Sequence, residues 1–579
     1  METLEGIAAS PGIAEGVAVA YYEPEMHIER TSAEDPTRES ERLHAAVADT
    51  ITELVQIKEQ IRAGVGEEFA HIFRSQQTIA EDESIVGEVE EAIRDQAASA
   101  EQAVKTVFEA YIAMFEELSD DDYNKARVAD LTDVYTRLLR RLLGVESRDL
   151  ARLPDGSVIV ADDLLPSDTA LIDPGRVRGF VTARGGLTSH VAILAKSLRI
   201  PAAVGVPNAL ERIGDGTEVF VDSRLSSGAV VYVAPDPETA SKLRQEKSAY
   251  LEHLEELEQE KDLDAVTPDG RAVTVSGNIG ADGEIAEARD HGLRSVGLFR
   301  TEFLFLKASS LPSEERQFKA YRNAVESLAP GMVIFRTLDV GGDKRIDYLD
   351  LPEEQNPFLG MRAIRLSLED IESFKVQLRA ILRASAYGNA KIMFPMVSGI
   401  NEVRRLKEIF AEVRENLSAE GVQYDDALEV GIMVEIPSAV LMADALAREV
   451  DFMSIGTNDL TQYLLAADRM NENVRDYYEP FHPAVFRAIS QVTDAMHREG
   501  KWVGVCGELG GMAEIIPVLI GLGVDELSMT PQLIPEAVHT IRRTSQAAAE
   551  RLAGRVLETS DTADIRRLLH DYYGSQQDA

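Results

Sequence analysis

The chain has very little cysteine, since Cys506 is the only one among its 579 residues. A single cysteine cannot form a disulfide within the chain, which fits a protein that works in a reducing cytoplasm. Long apolar runs are also missing: no stretch of about 18 uncharged apolar residues occurs, so no membrane-spanning helix is expected. The first residues, METLEGIAASPG, lack the basic start and the apolar stretch of a signal peptide. We therefore expect a cytoplasmic protein without membrane insertion.

Basic residues are scarce: 59 Lys and Arg stand against 100 Asp and Glu, and the formal net charge is -41. A surface of this sign repels a phosphate backbone, so we expect no nucleic acid partner. Of the basic residues, 14 are lysine and 45 are arginine. An ordinary acidic protein can have this composition, but acid-rich, lysine-poor surfaces are typical of a cytoplasm with molar salt, where the Debye length is about 3 Å. The composition therefore favours a halophilic protein.

The apolar residues follow two different periods, which divide the chain into segments. Residues 1–28 and 146–235 contain short stretches such as EGVAVAYY and SVIVADDL, which predict β-strands. Residues 29–145 have helical spacing, which predicts four or five helices. The simplest interpretation is one small α/β domain interrupted by an all-helical insert. Residues 236–262 are a charged helix with few core-type residues, which predicts a linker.

The remaining residues, 263–579, alternate between β-like and helical segments. The β-like segments are VTVSGNI, SVGLFRTEF, VIFRTLDV, KIMFPMVS, EVGIMVEIP, FMSIGTND, WVGVCGE and DELSM. Eight strand–helix units over about 300 residues predict a (β/α)8 TIM barrel. In that fold the carboxyl ends of the strands carry the active site. The chain is therefore predicted to be a multidomain α/β protein.

Charged and polar side chains gather at the predicted carboxyl ends of these strands. In chain order they are Arg300, Glu302, Arg336, Asp339, Glu435, Asn458, Asp459, Cys506 and Glu508, with Arg469 shortly after Asp459. Converging arginines suit a small polyanion, because a guanidinium presents a rigid fork of donors to carboxylate or phosphate. Carboxylates such as Glu435 and Asp459 are hard oxygen ligands suited to Mg²⁺. Buried salt bridges could explain each residue singly, but their common position favours a metal-assisted site for a phosphorylated carboxylate.

Cys506 ends the seventh β-like segment, in VGVCGELGG, and is expected to face the same mouth of the barrel. A lone cysteine is often an inert buried residue. A thiol at the mouth can also act as a general acid or as a nucleophile. The sequence by itself leaves these interpretations open.

His190 is one of only ten histidines and stands in RGGLTSHVAILAKSLRIPAAVG, where a helix is predicted to begin. The preceding glycines permit a bulky group to approach the backbone closely. The N–H groups at a helix start favour anions, and Thr188 and Ser189 can cap the helix or bind a phosphate. An imidazole in this setting can accept a phosphoryl group as a covalent nucleophile. A capping or core histidine is the alternative, but the neighbouring site predicted for a phosphorylated acid weighs against it.

The segment GGLTSHVAILAKSLRIPAAVG resembles the phosphohistidine segment of enzyme I of the phosphoenolpyruvate:sugar phosphotransferase system. The resemblance extends from about residue 4 to about residue 545 and includes GLFRTEFLF, FRTLDVGGDK, NPFLGMRAIR, IMFPMV, MVEIPSAV, FMSIGTNDLTQYLLAADRMNE, FHPAVFRAI and GVCGELGG. It implies a swivelling phosphohistidine α/β domain with a helical insert that docks the phosphocarrier HPr. It also implies that the TIM barrel binds phosphoenolpyruvate and forms a homodimer. The implied reaction passes the phosphoryl group of phosphoenolpyruvate to His190 and then to HPr, and releases pyruvate.

The resemblance also implies a role for each residue that matches a family motif. The phosphate of phosphoenolpyruvate would be held by Arg300, Arg336, Arg469, Asn458 and the Asp459 backbone. Glu435 and Asp459 would hold Mg²⁺, and Cys506 would protonate the methylene carbon of the departing enolate. Thr169, in DLLPSDTA, would bond the phosphohistidine. Arg362, in GMRAIR, is a weaker candidate that would lie behind the substrate-binding residues.

The chain departs from the family pattern at three positions. The family has Arg where this chain has Leu187, and it has His, in IFEAH, where this chain has Gln76. After the cysteine the family has AGDE, whereas GGMA here places Met512 near the mouth. The first two departures bear on the tuning of the phosphohistidine and on HPr docking. None of them removes a residue that the resemblance assigns to catalysis.

Two other kinds of protein share part of this pattern. Pyruvate phosphate dikinases and phosphoenolpyruvate synthases resemble the His190 segment and the barrel, but they need an ATP-grasp domain ahead of the histidine. Here only about 180 residues precede that segment; they are mostly helical, and VGGDKR lacks the spacing of a P-loop. A regulatory protein that senses phosphoenolpyruvate without turnover is the second alternative. The intact set of His190, Glu435, Asp459 and Cys506 argues against it.

Overall fold

A computed structural model gives the fold of the chain. It describes residues 1–579 except 23–25, 29–30, 34, 65–66, 118–121, 146–149, 165, 170–171, 188, 225–227, 343, 345, 347, 350–353 and 578–579. The predicted domain limits at residues 29, 146 and 579, and the predicted capping residue Thr188, fall outside the described residues. The chain divides into two compact units, Met1–His253 and Leu254–Ala579.

A closed barrel forms the centre of the first unit. The strands that the structure describes in it are β1 (Glu2–Ser10), β2 (Ile13–Tyr21), β3 (Ser157–Ala161), β4 (Val177–Thr182), β5 (Ala202–Val204), β6 (Glu218–Asp222) and β7 (Ala229–Val233). Their order around the barrel is β1-β5-β4-β3-β2-β6-β7. β2 pairs in parallel with β3 although residues 22–156 separate them along the chain. Alternate residues of β3 and β6 point inward, so Val158, Val160, Val219 and Val221 are fully buried in the barrel.

A group of helices lies between β2 and β3 in the sequence. Within the described ranges they are α1 (Pro36–Gly64), α2 (Glu67–Ala80), α3 (Glu83–Asp95), α4 (Ala100–Glu117) and α5 (Asp122–Leu143). These helices bury a core of their own that includes Leu54, Phe108 and Val134. α3 begins after Asp82, whose carboxylate caps the helix by accepting a hydrogen bond from the Ser84 N–H at 2.8 Å. The helical character predicted for this segment is confirmed.

The remaining helices described in the first unit are α6 (Pro166–Thr169), α7 (His190–Leu198), α8 (Ala209–Arg212) and α9 (Pro237–Glu260). α7 packs its apolar residues, Val191 and Ala195 among them, into the core outside the barrel. α9 occupies most of the predicted linker, 236–262, and crosses the limit between the two units. Near its start, Ala240 and Leu243 pack against Phe220 of β6.

The second unit is built on a closed barrel of parallel strands. The strands described there are β8 (Thr274–Ile279), β9 (Val296–Arg300), β10 (Val333–Arg336), β11 (Ala390–Phe394), β12 (Val430–Val434), β13 (Phe452–Ile455), β14 (Trp502–Val505) and β15 (Glu526–Met529). Each strand pairs with the next along the chain, and β15 closes the barrel by pairing with β8. Leu298, Ile334, Met393, Met433 and Phe452 pack together inside it. This arrangement confirms the predicted TIM barrel.

Helices follow the strands around the second barrel. Those in the described chain are α10 (Ile285–Arg289), α11 (Glu302–Leu306), α12 (Glu314–Leu328), α13 (Ile364–Glu369), α14 (Ile371–Ser385), α15 (Ile400–Ala419), α16 (Pro437–Leu441), α17 (Ala443–Leu446), α18 (Thr457–Leu465), α19 (Pro483–Arg498), α20 (Ile516–Gly521), α21 (Ile534–Arg543), α22 (Gln546–Glu558) and α23 (Thr562–Gln577). Across the residues that the structure describes, no helix combines the length and the apolar character needed to cross a membrane.

Candidate functional site

His190 occupies the first position of α7, and its side chain is half-buried. Its ring nitrogen Nε2 lies 3.1 Å from Thr169 Oγ1, so the two side chains share a hydrogen bond. Burial lowers the pKa of the imidazole from 6.5 to about 4. The ring is therefore neutral at physiological pH, and a neutral ring offers the lone pair that a nucleophile needs.

A serine cap fixes the point at which α7 begins. Ser189 Oγ accepts a hydrogen bond from the Ala192 N–H at 3.3 Å. Gly185 precedes this cap with a φ of 100°, a conformation that other residues rarely adopt. A Cβ at Gly185 would also lie 3.0 Å from Ser189 Oγ. The turn ahead of His190 therefore requires glycine, and of the two predicted capping residues Ser189 is found in that role.

Thr169 is positioned by its neighbour in α6. Asp168 is almost fully buried, and its Oδ1 accepts a hydrogen bond from Arg140 Nη1 at 3.3 Å. Arg140 belongs to α5, the last helix between β2 and β3. The ion pair therefore connects the helical segment to the short element that holds the hydrogen-bond partner of His190.

In the second unit, a network of ion pairs lies at the carboxyl ends of β9 and β10. Arg336 Nη2 is 2.5 Å from Glu302 Oε1, and Arg336 Nη1 is 3.0 Å from Asp339 Oδ2. Lys344 Nζ is 2.7 Å from the same Glu302 oxygen. Burial alone would raise the pKa of Asp339, but the surrounding cations, Arg336 foremost, lower it below its ordinary value. The network therefore holds charged groups in a region from which most water is excluded.

Arg362 links this network to Asp459. Its Nη2 is 3.2 Å from Asp339 Oδ1 and 3.3 Å from Asp459 Oδ2, and the side chain is buried. Arg469 Nη2 lies 3.6 Å from the other carboxylate oxygen of Asp459. Arg362 therefore contacts Asp459 directly, whereas the family resemblance implies only a position behind the substrate-binding residues.

Glu435 follows β12 and is also buried. Its Oε1 accepts a hydrogen bond from the Met396 N–H at 2.5 Å. Burial raises the pKa of Glu435 to about 8, and the negative charge of Asp459 acts in the same direction. Asp459 Oδ1 has no hydrogen-bond donor among the described residues. Two neighbouring buried carboxyl groups, one of them with an oxygen that has no hydrogen-bond donor, fit a divalent cation, which would favour the ionised form of Glu435.

Cys506 follows β14 and is buried beside the main-chain carbonyl of Ile455, with Sγ 3.7 Å from that oxygen. Burial raises the pKa of the thiol to about 12. The thiol therefore keeps its proton at neutral pH. Since the thiolate is the nucleophilic form of cysteine, a thiol in this state is suited to giving a proton and not to attacking a substrate.

The remaining predicted residues also lie at the carboxyl ends of the strands. Partial desolvation and the nearby charge of Arg336 lower the pKa of Arg300, at the end of β9. Asn458 Nδ2 donates to Glu508 Oε1, and Asn458 Oδ1 accepts from the Glu508 N–H, both at 3.0 Å. This reciprocal pair fixes the first turn of α18 against the segment that follows Cys506.

The three departures from the family pattern have different surroundings. Leu187, just before the cap of α7, is 53% exposed. Gln76 is buried among the helices, where its Nε2 donates to Asp133 Oδ2 at 3.0 Å. Met512 is partly buried against the core of the second barrel. Gln76 and Met512 therefore take part in packing, whereas Leu187 presents an apolar side chain to solvent.

The structure brings the residues predicted at the strand ends to one mouth, and it places His190 and Thr169 together in the other unit. Two charged groups of the second barrel are not among the predicted site residues. Lys344, in VGGDKR, follows the third strand end, and its position after that end is the signal that could have identified it. Glu526 is the first residue of β15 and is buried, and a charged residue in the short β-like segment DELSM is the corresponding signal.

Comparison with protein families places this architecture in a known class. Residues 254–546 match the PEP-binding domain of PEP-utilising enzymes. Residues 5–127 match the N-terminal domain of these enzymes, and residues 153–225 match their mobile domain. The matches cover both units and include His190 and all of the residues at the mouth of the second barrel.

Individual relatives match along the whole chain. The chain is 43% identical over 565 residues to a phosphoenolpyruvate-protein phosphotransferase of Bacillus subtilis, a match that covers 98% of each chain. It is 41% identical over 574 residues to the enzyme of the same name from Enterococcus faecalis, with 99% of each chain covered. A solution structure described as Enzyme I (nEIt) covers 43% of this chain and 99% of its own, at 38% identity and a TM-score of 0.39. The chain therefore belongs to the phosphoenolpyruvate-protein phosphotransferase family of PEP-utilising enzymes, which confirms the family predicted from its motifs.

Proposed function

We propose that the chain transfers the phosphoryl group of phosphoenolpyruvate to its own His190 and then to the histidine phosphocarrier HPr, releasing pyruvate. This is the first step of sugar uptake by the phosphotransferase system. The observation that carries the proposal is the match over 98% of the chain to enzymes named for this activity. It is supported by the neutral imidazole of His190, whose hydrogen bond to Thr169 orients the ring.

The phosphate of phosphoenolpyruvate is held at the mouth of the second barrel. The proposed contacts are Arg300, Arg336, Arg469, Asn458 and the Asp459 backbone, with Arg362 behind them. Support comes from the electrostatics, since desolvation lowers the pKa of Arg300 and the charge of Arg336, which opposes that of Arg300, lowers it further. A bound phosphate would relieve this repulsion, because an anion between two guanidinium groups favours the charged form of each.

Glu435 and Asp459 would hold Mg²⁺ in this proposal. Their fit rests on the buried pair of carboxyl groups and on Asp459 Oδ1, which has no hydrogen-bond donor among the described residues although Arg469 Nη2 lies 3.6 Å away. A bound Mg²⁺ would act as a Lewis acid that stabilises negative charge on the substrate oxygens. The chain itself orients the two carboxylates, through the Met396 N–H on Glu435 and the Arg362 guanidinium on Asp459.

Cys506 completes the reaction by protonating the enolate left behind when the phosphoryl group departs. The S–H bond breaks as a C–H bond forms at the methylene carbon, so pyruvate leaves and a thiolate remains. The raised pKa of the buried thiol supports this role, because the group enters each turnover in its protonated form.

The partners of the chain are also part of the proposal. The helices between β2 and β3 dock HPr, the second barrel forms the homodimer, and the protein works in the cytoplasm. His190 must meet phosphoenolpyruvate at one time and a histidine of HPr at another. The domain that carries it therefore swivels, with hinges near residue 235 and residue 263.

A halophilic setting is the last part of the proposal, and it rests on composition alone. The chain carries a net charge of -41 and only 14 lysines. In molar salt a Debye length of about 3 Å would screen this self-repulsion.

Intact mass spectrometry after incubation with phosphoenolpyruvate and Mg²⁺ tests the central step. The full-length chain should gain one acid-labile phosphoryl group, and His190→Ala should gain none. His570→Ala changes an exposed histidine in α23 and is the matched control, which should be labelled like the unchanged chain. Labelling of His190→Ala would contradict the assignment. Labelling that required ATP would instead support a dikinase.

A further inference from the structure

Tyr463 is a half-buried residue of α18 that has no part in the roles above. Its hydroxyl accepts a hydrogen bond from Arg362 Nη1 at 3.2 Å and donates one to the main-chain carbonyl of Phe358 at 2.5 Å. The direction of both bonds is fixed, because a guanidinium only donates and a carbonyl only accepts. Burial raises the pKa of the phenol, so the hydroxyl keeps the proton that it donates. The hydroxyl therefore connects Arg362 to the segment that contains Phe358.

The two terminal nitrogens of Arg362 have different partners. Nη1 is bound to the Tyr463 hydroxyl, whereas Nη2 lies 3.2 Å from Asp339 Oδ1 and 3.3 Å from Asp459 Oδ2. The hydrogen bond between Arg362 and Asp459 therefore involves one nitrogen and one oxygen. A guanidinium beside a carboxylate often forms two parallel bonds that occupy both oxygens. At Asp459 the nitrogen that would make the second bond is already held by Tyr463.

The second oxygen of Asp459, Oδ1, is the one that this arrangement leaves accessible to a ligand. It is buried and has no hydrogen-bond donor in the described part of the chain, and Arg469 Nη2 lies 3.6 Å from it. Tyr463 follows Asp459 by four residues in α18, so both side chains lie on the same face of that helix. A second bond from Arg362 to Oδ1 would place a positive charge on the oxygen that a cation needs.

We infer that Tyr463 is a positioning residue for the divalent cation, because its hydroxyl holds Arg362 Nη1 and so keeps Asp459 Oδ1 available to the metal. The inference rests on the proposed function, in which Glu435 and Asp459 hold Mg²⁺. Without the hydroxyl, Arg362 would pair with both oxygens of Asp459 and compete with the cation for the carboxylate. Groups that orient a metal ligand typically change metal affinity by about 10- to 100-fold.

The full-length Tyr463→Phe variant tests this inference, because the substitution keeps the ring and removes the hydroxyl. Mn²⁺ prefers the same oxygen ligands as Mg²⁺, and its binding is measured without phosphoenolpyruvate by electron paramagnetic resonance of the free ion. The variant should bind Mn²⁺ about 10- to 100-fold more weakly. Tyr573→Phe removes a hydroxyl that donates to the Ala513 carbonyl at 2.5 Å and is the matched control, which should bind Mn²⁺ like the unchanged chain. The Glu435→Gln/Asp459→Asn double variant measures the Mn²⁺ held elsewhere on this acidic chain.

Arg362→Gln separates this role from a merely structural one. In a chain that already carries Arg362→Gln, Tyr463→Phe should not weaken Mn²⁺ binding further, because the guanidinium that would occupy Asp459 Oδ1 is gone. An equal loss in both backgrounds would show a structural role and overturn the inference, as would an unchanged affinity in Tyr463→Phe alone. If the unchanged chain bound no more Mn²⁺ than the Glu435→Gln/Asp459→Asn variant, the metal part of the proposed function would fall together with this inference. Labelling of His190 by phosphoenolpyruvate would still test the phosphoryl transfer separately.

Discussion

At the scale of single residues, burial is the main effect that sets the protonation of the groups that the proposed chemistry uses. It lowers the pKa of His190 to about 4, because a cationic imidazole is disfavoured away from water. The same effect raises the pKa of the Cys506 thiol to about 12, because there the anion is disfavoured. At neutral pH the nucleophile is therefore neutral and the proton donor is protonated, so each group is in its competent form.

The lowered pKa of His190 has a consequence for stability. The imidazole binds a proton below about pH 6.5 in the unfolded chain, but only below about pH 4 in the folded chain. The free energy of unfolding is therefore unaffected by His190 above pH 6.5, and it decreases as the pH falls from 6.5 towards 4. His190→Gln should remove this loss, which is roughly 2 kcal/mol at pH 5. Native-state hydrogen exchange of the α7 amides at pH 7 and pH 5 measures it. The same pH dependence in the unchanged chain and in His190→Gln would contradict the assignment of a neutral imidazole.

The role of Cys506 can be separated from substrate binding. Cys506→Ala should slow pyruvate formation by about 10²- to 10⁴-fold, the usual contribution of a general acid. Binding of phosphoenolpyruvate, measured by calorimetry with Mg²⁺, should change little, because the proposed phosphate contacts are arginines. An unchanged rate of pyruvate formation would show that Cys506 is an inert buried cysteine.

At the scale of elements, periodicity predicts the strands well, because each buried strand is a short apolar run bounded by turns. All eight β-like segments correspond to β8–β15. Contacts across the mouth are harder to predict. Arg362 and Asp459 are 97 residues apart in the chain, and only closure of the barrel brings them into contact. The burial of Glu526 is equally hard to predict from sequence, because the space for its carboxyl group comes from glycines on β9 and β14.

The metal proposal depends on two neighbouring elements, because Glu435 follows β12 and Asp459 lies in the first turn of α18. Glu435→Gln or Asp459→Asn should raise the Mg²⁺ concentration needed for phosphoryl uptake from phosphoenolpyruvate. Each change removes one anionic ligand of a cation that prefers charged oxygen. Return of phosphate from phospho-HPr to His190 should be almost unchanged and serves as the control, since it does not use the second barrel. Equal loss of both half-reactions would argue against a metal confined to that barrel.

At the scale of the whole molecule, net charge governs how the chain responds to salt. Activity and dimerisation should fail below roughly 0.5 M salt, where the excess negative charge is no longer well screened. Pyruvate formation and sedimentation, followed from dilute buffer to molar KCl, measure both properties. Sucrose at matched osmolality is the control for effects that do not depend on charge. Full activity in dilute buffer would refute the halophilic part of the proposal.

The division into two units predicts that the chain can be cut into working fragments. Each unit contains its own closed barrel and its own buried core. A fragment of residues 1–262 keeps His190, Thr169 and all of α9. It should fold, dock HPr and exchange phosphate reversibly with phospho-HPr. A fragment of residues 263–579 should dimerise and bind phosphoenolpyruvate with Mg²⁺, but it should never become phosphorylated.

Neither fragment should complete the reaction from phosphoenolpyruvate, even when the two are mixed at low concentration. In-line transfer needs a ring nitrogen of His190 about 3 Å from the phosphorus, and only the covalent link keeps the two sites at high effective concentration. Mass spectrometry of the mixture, with the full-length chain as control, measures the loss. Raising the fragment concentrations should restore phosphorylation in proportion to their product. If the first fragment were labelled by phosphoenolpyruvate alone, the phosphoenolpyruvate site would not belong to the second barrel, and the division of labour proposed for the two units would be wrong.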